Sequence, residues 1–270
     1  MNKHFNYKSD KQIFRLLISD SDKLLIETRD TETKEVFFNC FELENGKKVF
    51  NDLQLEEKTW LGIEAIYKDI IFFHKFPKPD MPGHKEIIAF DLVKQKTIWQ
   101  NNELVFSFAF DDKVYSYSQG FEERFFYALD YKTGELVNDL GNNLSLVNSL
   151  RTESENSKDW SRYIYPELKK YYASETNQQL IKQFTESFSL VGEIEWAELD
   201  DMLLLSFHSK DKDEKFTNRF AAVAKTTGTT ILFETLNEKI TALLTDSFFV
   251  YKKFLFLLKG KNEVFVYKTE

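Results

Sequence analysis

The sequence predicts an all-β protein, and three observations carry that expectation. Aromatic residues make up 16% of the 270-residue chain, with 27 Phe and 12 Tyr, and such rings favour the pleated, half-buried surface of a sheet. Short apolar runs and alternations recur along the chain, bounded by Asp, Lys and Gly turns, at lengths that suit strands better than helices. A weak internal repeat then orders these strands. CFELENGKKVF, AFDLVKQKTIW, ALDYKTGELVN, AVAKTTGTTIL and VFVYKTE begin at Cys40, Ala89, Ala128, Ala222 and Val264. Four of them run from a strand through a polar turn into a second short apolar strand.

The third residues of the repeats fall at 42, 91, 130, 224 and 266, with gaps of 49, 39, 94 and 42 residues. Three gaps match the period of about 40 to 50 residues expected of four-stranded propeller blades. The long gap is about twice that period and implies an insertion. The expected architecture is therefore a β-propeller of about five four-stranded blades, forming a single domain over 1–270, with a helical insertion near 140–188.

Each blade can be assigned in order. The first reads Ile13 to Ser19, Lys23 to Arg29 and Glu35 to Glu42, and the second Thr59 to Tyr67, Ile70 to Phe76 and Glu86 to Asp91. The third uses ELVFSFAF, KVYSYS and RFFYALDY; the fourth uses VGEIEWAEL, MLLLSFH and FTNRFAAVA. ITALLT, FLFLLKG and EVFVYK supply the fifth, which then lacks an outermost strand. His4 to Lys8, a lone strand-like piece, is expected to fill that place, which would also cover a free sheet edge. Gly46, Gly134 and Gly228 occupy one repeat position, where a tight hairpin needs a positive φ.

Residues 140 to 188 break the pattern. Pro166 suits a first helical turn, and Leu168, Tyr171 and Tyr172 follow at helical spacing. Thr176 is a candidate cap for a second helix with Leu180, Ile181, Phe184 and Phe188 on one face. Trp160 lies in the polar approach to this hairpin.

Composition excludes several functions. A formal net charge of −8 is the wrong sign for a nucleic-acid footprint. Lys169-Lys170 and Lys252-Lys253 are short and read as solvated edges. No apolar run reaches 18 residues and MNKHFNYKSD has no secretory core, so neither a spanning helix nor an export signal is expected. Cys40 is alone, which excludes an intrachain disulfide. A cytoplasmic location is the resulting expectation.

Trp60-Leu61-Gly62-Ile63-Glu64-Ala65, the loop Met81-Pro82-Gly83-His84-Lys85 and Ser247-Phe248-Phe249 resemble an uncharacterised bacterial family filed as a domain of unknown function. That resemblance implies one domain and transfers no catalytic residue.

In a propeller, the loop between second and third strands and the crossover to the next blade open on one face. That face would collect loop 76–85, the charged loop 209–215 and the helical insertion, and binding concentrates on such loops. His74, Asp80, His84 and Trp160 are the candidate binding residues. The two histidines and Asp80 are metal-ligand types, but their spacing matches no standard zinc pattern, so neither a metal nor a cofactor is expected. Glu64 and Glu195 are weak catalytic candidates, since five-bladed glycosidases set carboxylates on different blades around an axial pocket. No phosphate-binding Gly loop, GxSxG or HExxH occurs. Function is otherwise unspecified. The leading expectation is a non-catalytic binding or interaction propeller for a protein, peptide or small-molecule ligand; the alternative is a carbohydrate-active or other hydrolase.

Overall fold

The computed structural model describes residues 1–77, 83–168, 174–210 and 215–270. The chain is all-β, and its strands form five antiparallel sheets of four or five strands. They fall into two compact units, Lys11–Asp159 and Met1–Asp10 with Trp160–Glu270.

The first unit holds three consecutive four-stranded meanders. They are β2 (Gln12–Ile18), β3 (Lys23–Arg29), β4 (Val36–Glu42) and β5 (Lys48–Leu53); then β6 (Leu61–Tyr67), β7 (Ile70–Lys75), β8 (Lys85–Asp91) and β9 (Lys96–Asn101); then β10 (Val105–Phe110), β11 (Lys113–Gln119), β12 (Arg124–Asp130) and β13 (Leu136–Gly141). The boundaries match the sequence expectation to within two residues at most ends. The sheets pack face on face. Leu25, Phe38 and Cys40 meet Ile63, Phe73 and Phe90, while Phe72 and Ala89 meet Phe106, Val114 and Leu129. Each buried Phe or Leu contributes about 1.5–3 kcal/mol relative to exposure, and this explains the aromatic-rich composition.

The repeated hairpin has a common cause. Gly46, Gly134 and Gly228 have φ of 70°, 73° and 69°, and each N–H donates to the residue four earlier at 2.9 Å. Gln95, at the equivalent position without glycine, takes φ 53°. In two of these turns an aspartate, Asp91 or Asp130, accepts from the N–H groups two and three residues on.

The second unit contains two sheets. One is β16 (Leu190–Glu198), β17 (Met202–Lys210), β18 (Phe216–Ala224) and β19 (Thr230–Ile240). The other is β20 (Phe248–Tyr251), β21 (Phe254–Lys259) and β22 (Glu263–Lys268), bordered by β1 (Asn2–Lys8). β1 lies antiparallel to β22 from Asn2↔Lys268 to Lys8↔Glu263, the outer-strand role expected of it. Leu204, Phe220 and Ala222 pack on Phe248, Leu255 and Phe265 between the two sheets.

Three local expectations are corrected. ITALLT is not the first strand of the last sheet: Ile240 ends β19, and β20 begins at Phe248. The segment between is held as a loop, Leu244 N–H donating to His208 Nε2 at 3.1 Å and Asp246 N–H to Glu195 at 2.9 Å. The insertion is less helical than expected around Pro166. Here a 3₁₀ turn, Trp160–Arg162, leads to the short strands β14 (Tyr163–Ile164) and β15 (Glu167–Leu168). β14 pairs with β20 and β15 with β16; edge pairing outweighs the weak helical spacing. Tyr171 and Tyr172 lie outside the described residues. An unexpected helix, α1 (Leu144–Asn156), starts at an Asn143 cap and buries Val147 against Phe108, Tyr115 and Phe126.

The second helix, α2 (Glu175–Thr185), is capped by Ser174 rather than Thr176. Its Leu180, Ile181 and Phe184, with Phe188 beyond it, pack on Leu203, Leu205 and Phe207 as anticipated. No helix among the described residues is long and apolar enough to cross a membrane.

Cys40 is fully buried, and burial pushes its thiol up to about 12. Native protein at pH 8 should therefore hold at least about a thousandfold less thiolate than a free cysteine of pKa about 8.5. Its reaction with a disulfide reagent should wait on unfolding. Rapid stoichiometric labelling of the folded chain would contradict this.

Candidate functional site

The site is built where β6, β7 and β8 end, and irregularities in the ladders aim its side chains. Between β6 and β7 the register shifts from Ile63↔Phe73 to Ala65↔Phe72, which leaves Glu64 as the extra residue of a bulge. Between β7 and β8 it shifts again, from Phe73↔Ile88 to Lys75↔Lys85, so His74 also lies at an irregularity. Glu86, with φ 62°, absorbs the second shift. Bulges of this kind re-aim a side chain out of the regular alternation.

As a result Glu64, His74 and His84 converge. Glu64 Oε1 is 2.7 Å from His84 Nδ1 and 3.0 Å from His74 Nδ1. The two imidazoles stack face to face, with centroids 3.6 Å apart and planes 7° from parallel. Phe76 sets its ring edge-on to both, at 4.7 Å from His74 and 5.5 Å from His84.

The three residues differ in access. His74 is 4% exposed, while the side chains of Glu64 and His84 are 15% and 38% exposed. The contact from His84 is aligned as a hydrogen bond. That from His74 is only a close approach: neither of its ring nitrogens has a hydrogen-bond partner among the described residues. The far side of the ring lies over Gly62, where an added Cβ would fall 2.6 Å from Cε1 and Nε2. Gly62 faces His74 across the ladder, so lack of a side chain there is what admits the ring. Burial pushes the Glu64 carboxyl up; the close approach and charge of His74, then of His84, outweigh it and leave its pKa lowered. Among the described residues, Glu64, His74 and His84 form the group whose ligand atoms could share one metal ion.

Residues 18–99 match the family model described as a domain of unknown function (DUF4905). That span contains all three residues of the cluster. No curated protein matches the chain. Among solved structures, the uncharacterized protein lmo1340 from Listeria monocytogenes is similar at 13% identity and a TM-score of 0.34, over 92% of this chain and 75% of that one. The Dos1 propeller is similar at 11% identity and 0.32, over 99% and 72%. The β-propeller domain of the Trilobed protease from Pyrococcus furiosus stands at 11% and 0.31, over 100% and 83%. Likeness at this level carries no chemistry.

The other sequence candidates are used differently. Asp80 lies outside the described residues. Trp160 is 57% exposed, its ring tilted against Tyr163 at 6.0 Å. Glu195, in the second unit, is 8% exposed and accepts a hydrogen bond from the Asp246 N–H at 2.9 Å. Its other oxygen is buried without a partner among the described residues. Burial pushes its pKa up, and the Asp246 charge adds to this against the pull of the Asp246 and Ser247 N–H groups.

Around Glu195 runs a buried polar network. Asn218 donates to Ser206 Oγ and accepts from Ser247 and Asn237. His208, its pKa lowered by burial, accepts from Leu244 N–H. This network fixes the backbone of 241–247. His208 lies buried within β17, paired on both sides, and the Leu244 N–H satisfies its Nε2. The sequence reading does not join Glu64 to the histidines, although Gly62 opposite His74 is the available signal.

Proposed function

We propose that this chain is a five-bladed β-propeller with a non-catalytic, ligand-binding role, its binding site being the Glu64–His74–His84 cluster where loop 76–85 leaves β7. Five antiparallel meanders and the pairing of β1 with β22 support the ring, since pairing the first strand with the last is how such folds avoid a free edge. Hydrogen bonds within each unit support a common loop end. Phe76 N–H donates to Trp60 O and Lys210 N–H to Ser189 O, each joining a second-to-third strand connection to the crossover before its sheet, and Val36 N–H donates to Lys58 O, joining the start of a third strand to the crossover after its sheet. The observation that carries the binding role is the unsatisfied, buried His74 beside a carboxylate and a solvent-reaching second imidazole. A protein interior rarely leaves such a group unpaired without a use.

The hydrolase alternative lacks a comparable observation. It needs two accessible carboxylates with divided protonation. Glu64 is engaged by two imidazoles, and Glu195 is buried against a loop backbone.

Hydrolysis of aryl glycosides and aryl esters by the intact chain tests the choice. The expected result is no turnover above buffer, with Glu64→Gln and Glu195→Gln indistinguishable from the parent. Turnover abolished by both substitutions would overturn the non-catalytic reading.

A further inference from the structure

Resting on that reading, we propose that the ligand of the cluster is a divalent transition-metal ion of the zinc class, held by Glu64 Oε1, His74 Nδ1 and His84 Nδ1. Two imidazoles and one carboxylate are a donor set that suits zinc and its neighbours. Calcium and magnesium prefer shells made wholly of oxygen.

Geometry supports one shared ion. The three donor atoms lie within 4.8 Å of one another, and two of the pairs are at 2.7 and 3.0 Å. A tetrahedral ion with bonds of about 2.0–2.2 Å sets its ligand atoms roughly 3.3 Å apart. The donors therefore need to spread by a few tenths of an ångström, and the stacked rings to tilt apart until both in-plane lone pairs meet at the ion. The ion would sit in the gap that one Glu64 oxygen now bridges.

His74 supplies the independent reason to expect a ligand. Its side chain is 95% buried, yet neither nitrogen is hydrogen bonded among the described residues. Leaving a polar group in that state costs about 1–3 kcal/mol. Nε2 is turned onto Gly62, so Nδ1 is the nitrogen left facing Glu64. Parallel stacking brings the second Nδ1 to the same carboxylate oxygen. Two donors converging on one oxygen from stacked rings leave one poorly aligned, as the His74 contact is. An ion between them would give all three groups a partner at once.

Access also fits. His84 reaches solvent and lies across the opening, whereas His74 and Phe76 form the inner wall. Three protein ligands leave a fourth position for water on the His84 side. The competing account is a proton-sharing cluster, with the same three side chains joined by hydrogen bonds and no ion.

The test uses the tag-free full chain, stripped with a chelator and titrated with Zn²⁺ by calorimetry, with Co²⁺ as a spectroscopic probe. The expected result is one ion per chain and the intense visible bands of four-coordinate cobalt, displaced by Zn²⁺. Because His84 is partly exposed, His84→Ala should fold normally and lose more than the about 10- to 100-fold in affinity that outer-sphere partners cost; Glu64→Gln should do the same. Absence of saturable binding, or binding unchanged in both variants, would overturn the metal assignment in favour of the proton-sharing cluster. That failure would leave the non-catalytic reading intact, because only turnover of the intact chain removes it.

Discussion

Removing Met1–Lys8 should cost the second unit much of its stability. These residues make β1, whose six register pairs cover one edge of β22. Tyr7 is buried, and Asn262 at the β22 end of the sheet accepts from the Ser9 N–H while donating to the Ser9 carbonyl. Each lost backbone hydrogen bond removes about 0.5–1.5 kcal/mol net, and uncovering the apolar surface that Tyr7 and Phe5 pack against adds more. The total is several kcal/mol, against a typical folding stability of about 5–15 kcal/mol.

Deletion also bares the strand EVFVYK, an apolar edge ready to pair with another chain. We expect the midpoint of thermal unfolding to fall by more than about 10 °C, at about 2–4 °C per kcal/mol for a chain this size, with aggregates on gel filtration. A synthetic peptide of residues 1–10 added in trans should recover part of the loss. A truncated chain within about 2–3 °C of the parent and still monomeric would refute the stabilising role of β1.

How well the sequence foretold the molecule depended on where its signals are local. Strands such as Lys23–Arg29 and the Gly46, Gly134 and Gly228 turns follow from period-2 alternation and from a backbone conformation that glycine tolerates; both are written within ten residues. α1 was not foreseen because its inward stripe is thin. Val147 is its one buried apolar residue, while Leu144 and Leu146 face solvent. Around Pro166 the outcome was set by the free edges of β20 and β16, which no local pattern encodes. The binding residues divided in the same way. Histidines near a loop were visible as candidates. Glu64 joins them only because the β6–β7 bulge shifts its parity, and a shift of one residue reverses which face a side chain takes.

Glu195 offers a test in which two substitutions at one position separate shape from charge. Its carboxylate takes the Asp246 N–H and sits beneath 241–247 with the Asn218 network. Glu195→Ala removes that acceptor, orphans a loop N–H and opens a void beside Ser206. Loss of a buried partner costs about 1–3 kcal/mol, and the void adds to it. We expect the largest single-residue loss of thermal stability in the second unit outside its apolar core.

Glu195→Gln keeps an oxygen for the Asp246 N–H and abolishes the charge. Burial raises the pKa of Glu195 in the folded chain, so the native state binds its proton more tightly than the unfolded state does. The parent therefore loses stability as pH rises from the ordinary carboxylate range through the raised value, whereas the glutamine variant does not titrate. The difference in unfolding midpoint, glutamine minus parent, should grow more positive across that window and then level off. Thermal unfolding of both proteins from pH 4 to 8 measures it. A difference that stays flat, or that falls as pH rises, would mean that the carboxylate is better solvated or better paired than its burial beneath the loop implies.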